Sequence, residues 1–295
     1  MAELHPTPPG LWTRVIERTN HAVCCGALES IETKTEYVEE RGIRFIVRIL
    51  ARLDRKARAN RAQHKTFDPF LPYDKELFIA ELSESHVCLL NKFTVVDHHL
   101  LIVTRAFEEQ ETLLNRKDFA ALWPCMAEID GLAFYNGGQA AGASQRHKHL
   151  QFVPLPLGPH AAPVPVEPLL AHARFLGAWG EVPDLGFKHG LARLDPVGLR
   201  SKRKAADRFL GTYRSLLEAV GIAALKGDRQ SAPYNLLITR RWMLLVPRSQ
   251  ECFDSISINA LGFAGALLVK TKAQMDRIKQ CGPLSALRSV AAPIP

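Results

Sequence analysis

Apolar and polar positions alternate with a period of two in some stretches of the chain and with helical spacing in others, and the two rhythms are separated by proline and glycine clusters. In TEYVEERGIRFIVRIL, Ile43, Phe45, Val47 and Ile49 alternate with Arg44, Ile46 and Arg48, while Arg41-Gly42 supplies a turn, so a hairpin with one solvated face is predicted. Across 67–105, Pro69 and Pro72 exclude early regular structure, and Leu77, Ile79 and the run from Val87 to Leu90 read as buried strand. Asn91-Lys92 closes that strand and VVDHHLLIVTR returns as the next. SAPYNLLITRRWMLLVP reads as another hairpin, turning near Arg240-Arg241, and repeats the same apolar rhythm, an echo that points to internal duplication.

Helical spacing marks the intervening segments. Leu11, Val15, Ile16, Val23 and Leu28 predict a helix and a turn within 11–35. Residues 107–131 carry Phe119, Leu122, Trp123, Met126 and Ile129 on one stripe, with Pro124 kinking the helix or marking its first turn and Gly131 ending it. EPLLAHARFLGAWG, RSKRKAADRFLGTYRSLLEAVG and LGFAGALLVKTKAQMDRIK are also expected to be helical. PLPLGPHAAPVPVEP, with prolines at 154, 156, 159, 163, 165 and 168, reads as an extended, polyproline-like tether across the surface. The chain therefore divides into a first lobe, 1–158, and a C-terminal lobe, 159–295, of α+β class, with a mainly antiparallel sheet flanked by helices.

Composition narrows the function less than the pattern does. With 47% hydrophobic and 23% charged residues among 295, the chain has the balance of a soluble globular protein. No apolar run reaches the roughly 18 to 20 residues of a membrane span, and MAELHPTPPGLW lacks the basic and apolar regions of an export signal, so the cytoplasm is expected. Six scattered cysteines, with Cys24 and Cys25 adjacent rather than spaced as CxxC, imply neither disulfides nor a zinc knuckle. A net charge of +8 draws anions, either nucleic acid or a polyphosphate nucleotide. Arg52, Arg55, Lys56, Arg58, Arg61 and Lys65 form a basic segment without the aromatics of a single-strand binder, so a solvated segment is favoured over a nucleic-acid helix.

Chemical capacity converges in one place, Tyr135 to Pro154. On a strand from Lys148 to Val153, alternation puts His147, His149 and Gln151 on one solvent-facing side. Upstream, GGQAAGASQ, with glycines at 137, 138 and 142, lets the backbone approach a ligand and present N–H groups to an anion. An HxH pair also fits two satisfied surface histidines or two metal ligands. Gln151 is a poor zinc ligand and a good neutral partner for phosphate oxygens. His98 and His99, on opposite faces of their strand, are both expected to be structural.

His147-Lys-His149-Leu-Gln151 resembles the HxHxQ motif of the nucleotidyltransferases of the histidine triad superfamily. FYNGGQAAGASQRHKHLQ, together with HVCLLNKF at 86–93 and YNLLITRRWMLLVPR at 234–248, resembles the diadenosine tetraphosphate phosphorylases, also called ATP adenylyltransferases, over residues 45 to 265. The resemblance implies a histidine-triad-like fold of two related lobes, of which the first keeps the histidines. It implies that His149 attacks the α-phosphorus to form an adenylyl-histidine, braced by His147, with Gln151, Ser144 and the N–H groups of Gly142, Ala143, Ser144 and Gln145 holding the oxygens. Asn91, Lys92 and Asn136 would bind the nucleotide, Lys56 (or Lys65) the polyphosphate, and Asn235, with Tyr234 and Trp242 to Arg248, would complete the pocket.

The implied reaction is diadenosine tetraphosphate plus phosphate giving ATP plus ADP. Gln151 has no useful pKa with which to activate water, so phosphate intercepts the intermediate. Mg²⁺ or another divalent cation would accompany the polyphosphate, with no tightly bound metal. The alternatives are a sugar-1-phosphate uridylyltransferase, a dinucleoside polyphosphate hydrolase, or a basic nucleic-acid-binding module using residues 52–65.

Overall fold

A computed structural model describes residues 10–51, 68–195 and 201–294. Helix α1 (Leu11–Cys24) buries Leu11, Val15 and Ala22 on one stripe. The short strand β1 (Glu29–Ser30) leads into the hairpin of β2 (Thr33–Glu40) and β3 (Ile43–Leu50), in unbroken register from Thr33↔Leu50 to Glu40↔Ile43. Arg41 and Gly42 stand at φ 50 and 78, the left-handed pair that a two-residue hairpin turn requires.

The strands that follow build one large sheet. β4 (Phe78–Ser83), β5 (His86–Leu90) and β7 (Leu100–Thr104) come first, with β6 (Phe93–Thr94) pairing instead with β1. Helix α2 (Arg116–Glu128) leads to β8 (Gly131–Gly137) and β9 (His149–Pro154). After the short helix α3 (Glu167–Leu170) come β10 (Arg174–Leu176), β11 (Trp179–Glu181) and β12 (Gly190–Arg193). Helix α4 (Lys202–Ala219), β13 (Tyr234–Ile238) and β14 (Trp242–Pro247) complete the set.

The sheet order is β10-β11-β12-β14-β13-β8-β9-β7-β5-β4, so β-β-β-α-β-β occurs twice and the halves meet where β8 pairs with β13. In that repeat β13–β14 is the counterpart of β8–β9, whereas the apolar echo matches it to β5 and β7. The fold is α+β with an antiparallel sheet, and the halves share that sheet rather than standing apart.

Alternation along the strands sorts side chains into two layers. On one face Tyr135, Leu150, Phe152 and Leu236 pack with Val15 of α1, Phe119 of α2 and Phe209 of α4. On the other face, Phe134, Val153 and Leu237 pack with Phe45 and Val47 of β3. Joining them there are α5 (Ala260–Phe263), α6 (Lys272–Cys281) and α7 (Pro283–Val290). A small hairpin, β15 (Cys252–Phe253) with β16 (Ile256–Ser257), precedes β17 (Ala266–Val269), which pairs in parallel with β3. Each fully buried Phe contributes on the order of 1.5–3 kcal/mol. No helix among the described residues is long and apolar enough to cross a membrane.

Four segments depart from the pattern-based expectation. Residues 107–115 are not helical, because Asn115 sets the start of α2 at Arg116: its side chain accepts from the N–H groups of Lys117 and Asp118, and Asp118 accepts from the Asn115 N–H. Pro124 lies inside the helix, and Gly131 opens β8 rather than closing α2. EPLLAHARFLGAWG yields only α3 before the β10–β11 hairpin, and LGFAGALLVKTKAQMDRIK is interrupted by β17. Short apolar runs look alike in helix and strand, and here the free edge of β3 recruited one of them. The proline-rich segment is seated rather than draped, since Leu157, Val164 and Val166 are core residues.

Candidate active site

His149 opens β9, and its backbone is fastened by a side chain from a loop. Gln110 Oε1 accepts from the His149 N–H at 2.8 Å, while Gln110 Nε2 donates to the carbonyls of Asn136 at 3.0 Å and His149 at 3.2 Å. The imidazole donates from Nδ1 to the His147 carbonyl at 2.8 Å, the only hydrogen bond its ring makes among the described residues. A ring protonated at Nδ1 carries its lone pair on Nε2. Burial pushes the His149 pKa down to about 4, so the ring is neutral and nucleophilic at physiological pH.

The expected solvent-facing surface is in fact covered. His147 and His149 are 2% and 4% exposed, and the Phe70 ring stands 5.6 and 5.4 Å from theirs. His147 is a brace: Nδ1 meets Asp68 Oδ2 at 2.8 Å, and Nε2 faces the carbonyl and hydroxyl oxygens of Thr104 at 2.7 and 3.0 Å.

Gln151 Oε1 accepts from His99 Nε2 at 3.0 Å, and His99 Nδ1 accepts from Asn91 Nδ2 at 3.2 Å. This chain orients the Gln151 amide with its NH₂ group left as donor. His99 therefore belongs to the site, contrary to the structural role expected of it. Neither His98 nor His99 is a strand residue: β7 begins at Leu100, and His98, at φ 55, turns away to Thr19 Oγ1 and the Trp12 ring. A usable signal was present, because a hairpin closing at Leu90↔Leu100 puts Asn91 opposite His99.

Burial also pushes the His99 pKa down to about 4. The unfolded chain takes up protons at both histidines near pH 6.5 and the folded chain only near 4, so the unfolded state binds more protons between these values. The stability these groups contribute is complete above pH 6.5 and is lost as the pH falls towards 4. A urea midpoint should therefore fall between pH 7 and pH 5, and replacing His99 by Gln should flatten that slope; equal slopes would contradict the burial argument.

The glycine loop follows β8. Gly138 and Gly142 adopt φ 90 and 85 around a single turn at Gln139–Ala141. A Cβ on Gly142 would lie 2.9 Å from Asn259 Cα and the Ile258 carbonyl, so only glycine lets the loop pack there. Two of the four expected oxyanion donors are already used, because Gly142 N–H bonds Gln139 O at 2.8 Å and Ala143 N–H bonds Gly138 O at 3.2 Å. Ser144 and Gln145 retain N–H groups with no hydrogen bond among the described residues, and Ser144 is exposed.

The second half holds this loop in place. Asn235 is fully buried; its Nδ2 donates to Asn136 Oδ1 at 2.9 Å and to Ala141 O at 2.8 Å, and its Oδ1 accepts from Arg248 at 2.5 Å. Asn136 Oδ1 also accepts from the Ala260 N–H, so Asn136 and Asn235 together clamp the loop to α5. Tyr234 and residues 242–248 are buried. Asn91 is half-buried and Lys92 exposed at the β5 end of the site, while Lys56 and Lys65 lie outside the described residues.

Lys148, between the two histidines, points to the opposite face. Its Nζ reaches Asp118 Oδ2 at 2.8 Å, and Asp118 Oδ1 meets His86 Nε2 at 3.0 Å. Burial opposes ionisation of Asp118, yet the bonds from His86 and Lys148 outweigh it and hold the carboxyl below its usual pKa.

Comparison with known proteins agrees with this arrangement. Residues 1–172 match the Ap4A phosphorylase N-terminal domain and residues 183–293 the ATP adenylyltransferase C-terminal domain. Diadenosine 5',5'''-P1,P4-tetraphosphate phosphorylase 2 of Saccharomyces cerevisiae is 28% identical over 244 residues, covering 73% of each chain. Protein APA1 of the same yeast is 26% identical over 215 residues, 67% of this chain and 65% of its own. The crystal structure of yeast Ap4A phosphorylase Apa2 superposes with a TM-score of 0.78 at 22% identity, covering 96% of this chain and 94% of that one. Its complex with Ap4A gives 0.77 at 23% identity, covering 96% and 97%. These likenesses establish the fold, and the first domain match alone spans more than half of the 295 residues. The chain belongs to the family of Ap4A phosphorylases and ATP adenylyltransferases.

Proposed function

We propose that the protein converts diadenosine tetraphosphate (Ap4A) and phosphate to ATP and ADP through an adenylyl group carried on His149. The observation that supports this reading best is a buried, neutral imidazole locked by Nδ1 to the His147 carbonyl, with Nε2 left as nucleophile. Nε2 attacks the α-phosphorus of Ap4A and the P–O bond to ATP breaks, the electron pair leaving on the ATP oxygen. Phosphate then attacks the same phosphorus and the P–N electron pair returns to Nε2, giving ADP. The Ser144 and Gln145 amides and the Gln151 NH₂ are the donors available to the phosphoryl oxygens.

The donors here are imidazoles, amides and N–H groups, and Asp68 is paired with His147, which does not suit a dedicated Mg²⁺ cage. Any divalent cation is proposed to travel on the polyphosphate.

Incubation with Ap4A and radiolabelled phosphate should place label in ADP; label remaining only in phosphate would refute the reading. Substituting Gln151→His should raise hydrolysis relative to phosphorolysis by about 10²-fold, the lower end of general acid–base effects. A product ratio of AMP to ADP unchanged from the parent enzyme would contradict the assigned role of the amide.

A further inference from the structure

We infer that Asp68 is a positioning residue of the adenylyl transfer, whose carboxylate acts through His147 to stabilise the positive charge that His149 carries in the covalent intermediate. The inference rests on His149 being the nucleophile.

The carboxylate is held from two sides. Asp68 Oδ1 accepts the Phe70 N–H at 2.9 Å, which locks a tight turn, and Oδ2 lies 2.8 Å from His147 Nδ1. The same turn seats the Phe70 ring against both imidazoles and excludes water from them. The carbonyl of His147 in turn accepts from His149 Nδ1 at 2.8 Å, so a short path of hydrogen bonds and one residue's covalent frame joins Asp68 to the nucleophile.

The chemistry requires a counter-charge at this point. Before attack the His149 ring is neutral, with a proton on Nδ1 and a lone pair on Nε2. When the N–P bond forms and ATP departs with the P–O electron pair, both nitrogens are substituted and the ring becomes a cation. It does so at a position 4% exposed, where an uncompensated charge is costly. When phosphate attacks, the N–P pair returns to Nε2 and the charge disappears.

A fixed anion nearby therefore favours the intermediate and the transition states flanking it over the resting enzyme. The neighbouring acids are committed elsewhere: Glu108 to Lys148, Glu109 to Arg146 and Glu111 to Arg229. Asp68 pairs with His147 and faces both imidazoles; at His149 the His147 ring disfavours the cation, and the Asp68 charge acts in the opposite sense, offsetting part of that effect.

The test is Asp68→Asn, which keeps shape and removes charge. With Ap4A and phosphate, kcat should fall about 10- to 100-fold while KM stays within about threefold, because only the charged states are affected. Release of ATP in a single turnover without phosphate should slow by the same factor, and Asp68→Glu should recover part of the loss. In a His147→Asn background the substitution should cost less than about twofold, since its effect passes through that ring.

A kcat for Asp68→Asn within twofold of the parent, or full additivity with His147→Asn, overturns the inference. If Asp68→Asn does not fold, Asp68→Ser is judged by the same thresholds. Failure of the parent enzyme itself to release ATP or to carry label on His149 would instead overturn the proposed function.

Discussion

Replacing His149 by Ala is expected to lower kcat for Ap4A phosphorolysis by about 10⁴-fold or more, the order found when a covalent nucleophile is removed. No neighbouring group substitutes for it, because His147 has both ring nitrogens occupied by Asp68 and Thr104, and His99 is held between Asn91 and Gln151. The sequence, taken as placing His149 on an open surface, predicts no effect on stability. Burial beneath Phe70 changes that: the lost ring leaves a void, and a loss of about 1–3 kcal/mol is expected. The backbone clamp from Gln110 to His149 remains, and with a total stability of about 5–15 kcal/mol the variant should still fold. Single-turnover ATP release and urea unfolding measure the two effects separately. Activity within tenfold of the parent would remove His149 from the mechanism.

The largest effect on stability is expected at Asp118. The Asp118→Ala substitution strips the counter-ion from Lys148, whose side chain is 1% exposed, leaves His86 Nε2 without its partner, and removes half of the capping box that starts α2. Breaking a buried ion pair by deleting one member costs about 3–5 kcal/mol, and loss of a cap adds about 1 kcal/mol. Glu108 is 3.3 Å from the ammonium but 39% exposed, so it offsets only part. A fall in the urea midpoint of that size is expected. The double substitution Asp118→Leu, Lys148→Met should recover much of the loss, because apolar groups of similar volume tolerate burial that a lone charge does not. A single variant within 1 kcal/mol of the parent would show that the network is not a stability determinant.

Several features of the site were readable along the chain. HxHxQ on a strand places its three side chains on one face whatever surrounds it, and Gly138 and Gly142 do adopt the left-handed conformations a phosphate loop calls for. The hairpins at Arg41-Gly42 and Arg240-Arg241 follow from alternation interrupted by turn residues. Lys148 was not readable as a buried ion, since a lysine in a strand carries no mark of which layer lies beneath it. The clamp that Asn235 forms on Asn136 and Ala141 was not readable for a related reason: a polar residue in an apolar run is equally suited to a pocket and to holding another loop. ALLV at 266–269 fitted a helix until the unpaired edge of β3 became its partner.

Local order decided the two hairpins, helix α1 and the one-sided spacing of the histidine strand, because each depends on residues a few positions apart. Tertiary structure decided what each polar group is for. Asp68 meets His147 across 79 positions and His99 meets Gln151 across 52, and such pairs leave no periodicity to detect. It also decided that the His149 ring is buried and neutral, since burial is set by what packs over a strand, and here that is an aromatic ring from a loop rather than anything adjacent to His149 in the chain.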